Sequence, residues 1–72
     1  MPPIKILVYH GDNKNGWLTQ WIDAEGNEVK CEYNFRKASA IGAALSSNLL
    51  IKVFKKDGTF HRTIQPNEGK RQ

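Results

Sequence analysis

From residue 29 to residue 36 apolar and polar side chains alternate without a break: Val29, Cys31, Tyr33 and Phe35 fall on one side, Lys30, Glu32, Asn34 and Arg36 on the other. A period of two belongs to a half-buried strand, and it predicts that the first set faces the core. Residues 4–10 alternate less cleanly, with Ile4, Ile6 and Val8 against Lys5, Leu7 and Tyr9, and read as a strand partly covered on both faces. Pro2 and Pro3 precede it, where no ladder hydrogen bond is lost. Trp17 to Asp23 reads as a second strand, joined to the first through the polar residues 11–16 as a hairpin. Residues 24–27 turn the chain into the third strand, with Gly26 free to take positive φ and Asn27 tolerant of it.

The period then lengthens. Ala38, Ile41 and Leu45 fall on one stripe of a helix running from Lys37 to about Ser47, which Asn48 can end in the left-handed conformation. Gly42 inside it costs roughly 1 kcal/mol relative to alanine, so it marks either a close approach or a marginal helix. Residues 49–56 form a fourth strand. Asp57-Gly58 is the pair favoured in type I′ hairpins, and residues 59–64 return as a short fifth strand. Pro66 ends it, and residues 65–72 read as a frayed polar tail. The expected fold is α+β: a single, mostly antiparallel sheet with elements in the order β-β-β-α-β-β and one helix packed on one face, all within one domain over residues 1–64. A lone helix covers one face of such a sheet, so the other is wet, dimerised or used for binding.

Size limits what this fold can do. A chain of 72 residues hides only about 60% of its unfolded surface, so most apolar side chains are needed for the core. The longest apolar runs, residues 6–9 and 49–51, fall far short of the roughly 18 to 20 residues of a membrane span, and the first residues lack the pattern of a secretory signal. With a lone cysteine, Cys31, and hence no internal disulfide, the expected location is the cytoplasm. Charge divides unevenly: residues 1–35 hold three bases against five acids, a net of −2, whereas residues 36–72 hold eight bases against two acids, a net of +6. A one-sided excess can mark a polyanion-binding face, and it can equally serve solubility alone.

Trp17 opening a strand, the run Lys37-Ala38-Ser39-Ala40-Ile41 opening a helix, and the apolar strand over residues 50–54 leading to Asp57-Gly58 give residues 16–64 a resemblance to small bacterial β/α domains of unassigned activity. The resemblance implies a compact β/α module and no particular reaction, so no functional residue is transferred from it.

Catalytic chemistry finds no support in the pattern. Gly11 and Gly16 have the glycine spacing of a phosphate-cradling loop, but Trp17-Leu18 stands where Lys-Ser/Thr is required, and a strand follows where a helix is needed. His10, Cys31 and His61 lack metal-site spacing. Cys31, phased between Val29 and Tyr33, reads as a buried inert thiol and His61 as a surface histidine on a basic strand. No catalytic residue, metal or cofactor is expected, and the chain reads as a non-enzymatic module.

What remains is a surface. With Ile51 and Val53 facing the helix, Lys52, Phe54 and Lys56 line the opposite face, and the phase of the third strand adds Lys30 and Arg36. The second strand has two possible faces, Trp17/Thr19/Trp21 and Leu18/Gln20/Ile22. An alanine-lined helix leaves room for large rings and favours tryptophans turned inward; turned outward, they would extend a stacking platform for bases. The expected function is nucleic-acid binding, with Lys52, Lys55, Lys56, Arg62, Arg36 and Lys37 on phosphates and Phe54, Trp17 and Trp21 on bases. The alternative is a protein-interaction module, a homodimer formed through the open sheet face.

Overall fold

The computed structural model describes residues 2–11 and 16–66. Five strands and one helix follow one another as β1 (Pro3–His10), β2 (Trp17–Asp23), β3 (Glu28–Asn34), α1 (Lys37–Leu45), β4 (Leu50–Phe54) and β5 (Phe60–Ile64). The fold is α+β, in the element order read from the sequence. The sheet order is β3-β2-β1-β4-β5. Three of the four pairings are antiparallel, in keeping with the expected mostly antiparallel sheet, whereas β1 and β4 run parallel, so the sheet is mixed. The helix is the cause. Its nine residues rise about 13.5 Å, close to the ~17 Å of a five-residue strand, and return the chain to the rim where β1 began. β4 therefore sets out in the direction of β1.

The core lies between α1 and the centre of the sheet, where Ile6, Val8, Trp21, Ile51, Val53 and Ile64 meet Ala40 and Ala44. Alanines at these two helical positions let the backbones approach closely: the fully buried Thr19 hydroxyl donates to the Ala40 carbonyl at 3.1 Å. The space left beside them takes the Trp21 ring, 4% exposed, whose Nε1 donates to Ser47 Oγ at 2.9 Å. The buried helical stripe is thus Ala40 and Ala44 with Ile41 beside it, and Ala38 and Leu45 are exposed, which shifts the stripe expected from Ala38, Ile41 and Leu45. Gly42 touches nothing that a Cβ would meet, so no close approach explains it.

Both described hairpin turns use one device. In the β2–β3 turn the Gly26 N–H donates to the Asp23 carbonyl and the Asp23 N–H to the Asn27 carbonyl; in the β4–β5 turn Gly58 donates to Lys55, and Lys55 to Thr59. Gly26 and Gly58 have φ of 88° and 94°, while Asp57 does not enter the positive-φ region. This is the three-residue loop with a glycine bulge, in place of the type I′ turn expected at Asp57-Gly58. Asn48 ends the helix region at φ 55°, as expected. Of the expected tail, residues 67–72 lie outside the described residues.

Candidate nucleic-acid interface

Register decides which side chains share a face. Trp17, Thr19 and Trp21 of β2 stand opposite Asn34, Glu32 and Lys30 of β3, while Leu18 and Gln20 stand opposite Tyr33 and Cys31. Once the tryptophans turn toward the helix, their partners on β3 must follow, and Cys31 and Tyr33 go to the open face. The third strand therefore lies in the opposite phase to that expected: Val29, Tyr33 and Phe35 are exposed, the last to 75%, and Cys31 is exposed as well. Lys30 lies over the Trp21 ring, 4.6 Å from its centroid, and pairs with Glu32 at 3.2 Å. The Lys30 side chain covers part of the Trp21 ring at this edge of the core. Lys30 is thus on the helix side, and Arg36 stands at the N-cap of α1 beyond the strand; neither joins the open face.

Cys31 is not buried, as the alternation had implied. Partial desolvation, reinforced by Glu28 and Glu32, raises its pKa above the ordinary thiol value, which favours the unreactive protonated form.

The open face carries a row that sequence spacing alone did not assemble. Tyr33 pairs with Leu18, Leu18 with Tyr9, and Phe54 with Phe60. Tyr9 and Phe54 each follow the parallel pair Val8–Val53 by one residue. The row Tyr33–Leu18–Tyr9–Phe54–Phe60 therefore crosses all five strands, about 19 Å at ~4.8 Å per strand. Tyr33 and Phe60 are about half exposed, at 54% and 53%, and Phe54 and Phe60 meet edge to face with centroids 5.9 Å apart. Behind the row, Leu7, Gln20 and Lys52 continue the same face, and a depression of about 380 Å³ is lined by Leu7, Tyr9, His10, Gln20, Phe54 and Gly58.

This row lies near the rim where β1, β3 and β4 end and β2, β5 and α1 begin. Arg36, Lys37, Lys55, Lys56 and Arg62 gather at that rim. Asp23, Glu25 and Glu28 occupy the opposite rim. Among the described residues, the basic side chains of the second half other than Lys52 thus form a basic end of the molecule, not a basic face. Of the residues proposed from sequence, Lys52 and Phe54 share the open face and Lys55 and Lys56 border it in the β4–β5 turn. Arg62 pairs with Val53 on the helix side, and Lys37 sits there 5.1 Å from the Trp17 ring centroid. Trp21, and Trp17 packed against the core, belong to the helix side, so the outward platform of tryptophans is not formed. Alternation in β1 already places Tyr9 outward, whereas Tyr33 and Phe60 were missed: the side that β3 presents depends on the bulge between Trp21 and Ile22, where the register slips by one residue, and no sequence feature marks that slip.

Among the described residues no group of three or more His, Cys, Asp or Glu is placed to hold a metal ion, and no helix is long and apolar enough to cross a membrane. Comparison with known proteins gives no match to a family model, a curated protein or a solved structure.

Proposed function

We propose that this chain is a non-enzymatic binding module that takes single-stranded nucleic acid across its open sheet face, with bases on the row Tyr33–Tyr9–Phe54–Phe60 and phosphates on Lys52, Lys55 and Lys56. The observation that carries the reading is the aromatic row beside a basic rim. Base stacking on an aromatic ring contributes about 1–3 kcal/mol and is indifferent to sequence, whereas cations in the backbone path make the affinity fall with salt. A duplex hides its base faces and gains nothing from the row. The test is titration of fluorescent single-stranded and duplex oligonucleotides at two salt concentrations. With three phosphate contacts, single-strand affinity drops about 20-fold between 50 and 200 mM salt. No binding at the lower salt rejects the reading.

A second reading rests on the charge polarity. Two copies placed face to face about a two-fold axis, strands antiparallel, would set the basic rim of each against the acidic rim of the other. Light scattering would then give a doubled mass, and Phe54→Lys would yield folded monomers. A monomer at the highest attainable concentration removes this alternative.

A further inference from the structure

On the helix side of the basic rim, three elements bring basic groups together, and of these the stacking row uses Lys55 alone. Lys37 begins α1, His61 and Arg62 belong to β5, and Lys55 flanks the β4–β5 turn. The pairing of β5 with β4 slips between Val53 and Phe54, so that Phe54 stands opposite Phe60 and Val53 opposite Arg62. His61 is the extra residue of this bulge, and it lies against Lys37: Nζ is 3.1 Å from His61 Nδ1. Two basic groups at this distance form a hydrogen bond only while the imidazole is neutral and Nδ1 accepts. Lys37 is held there from the other side by the face of Trp17, which His10 meets edge-on at 5.1 Å. No carboxylate among the described residues pairs with Lys37 or Arg62; Asp57 offsets part of the charge of Lys55, and its own oxygen is engaged by Thr59.

We propose that Lys37, His61 and Arg62, with Lys55 at the edge, form an anion site that takes a phosphate group and picks up one proton from solvent at His61 as it does so. The chemistry follows from the contact. An arriving phosphate draws the Lys37 ammonium away from Nδ1 and neutralises the cations that oppose protonation of the ring. The freed imidazole then becomes a donor to the same anion. Loss of part of its water shell, followed by the charges of Lys37, Arg62 and Lys55, holds the His61 pKa below the ordinary histidine value, so the ring is neutral near pH 7 until an anion arrives. By linkage, affinity for a phosphate whose own charge stays fixed, such as a backbone diester, rises as pH falls through the His61 titration, by at most tenfold per pH unit for one proton; a terminal or inorganic phosphate takes up a proton of its own at about pH 6–7, which opposes that rise.

The site stands apart from the stacking reading, because it requires no base. The probes are inorganic phosphate and a pair of tetranucleotides, one with a 5′-phosphate and one with a 5′-hydroxyl. The His61 titration is followed by NMR, with sodium chloride at equal ionic strength as the reference. Phosphate is expected to raise the His61 midpoint by at least half a pH unit and to shift the Lys37 and Arg62 resonances; Lys37→Met abolishes the rise. A response to the 5′-phosphorylated oligonucleotide alone assigns the site to a terminal phosphate, and equal responses assign it to the backbone. A His61 midpoint in phosphate equal to that in chloride overturns the proposal. If that result comes with oligonucleotide shifts at Tyr9 and Phe54, the open-face reading stands without it.

Discussion

At the scale of single residues, side chains that break local rules are the most informative. Gly42 lies in the middle of α1 with open space where its Cβ would be, so it carries the entropic cost of glycine with no packing return. Gly42→Ala should stabilise the protein by about 0.5–1 kcal/mol, seen as a rise of several degrees in thermal unfolding. Gly16 is the opposite case. Its φ is 133°, and a Cβ would come within 2.7 Å of the Asn34 carbonyl oxygen, so Gly16→Ala should destabilise by more than ~1 kcal/mol. His61 gives a pH-dependent counterpart. With its folded pKa below the unfolded value of about 6.5, the unfolded chain binds more protons, and this group's contribution to stability is lost as pH falls from that value through the folded midpoint. Denaturant unfolding at pH 7 and pH 5 measures the slope, and His61→Gln should flatten it.

At the scale of elements, the helix is set by how near it sits to the sheet. Ala40 and Ala44 are fully buried, and Thr19 reaches the helix backbone itself. Enlarging this contact by Ala44→Leu should cost about 1–3 kcal/mol in chemical denaturation, because neither backbone can retreat without opening the Thr19 bond. The elements themselves were legible in the sequence, since alternation, turn glycines and the alanine-rich run each signal locally. The sides they present were less so. The strongest alternation in the chain, at residues 29–36, assigns Cys31 and Tyr33 to the core by local logic, yet in the edge strand β3 the bulge opposite Trp21 and Ile22 slips the register by one residue and turns them to the other side. The direction of β4 was likewise hidden, because a parallel neighbour depends on where the helix returns the chain. Lys52 and Phe54 were found because the interior strand β4 has its alternation enforced by core on one side. Tyr9 was read on the side away from Ile6 and Val8, but only the adjacency of β1 and β4 joins it to Phe54.

At the scale of the whole molecule, two asymmetries coincide. One sheet face is roofed by α1 and the other carries aromatic rings in a line; one rim is basic and the other acidic. The rings and the basic rim lie at the same end, which is what a chain of bases and phosphates requires. The most direct measurement is a nitrogen–proton and aromatic NMR map of the protein titrated with a short single-stranded oligonucleotide at low salt. Resonances of Tyr9, Tyr33, Phe54 and Phe60 should move together, Phe54→Ala should weaken the association about 5- to 150-fold, and the Trp21 indole N–H, bonded to Ser47 beneath the helix, should stay where it is. Shifts concentrated on Trp21 and α1, or none on the aromatic row, would contradict the stacking reading.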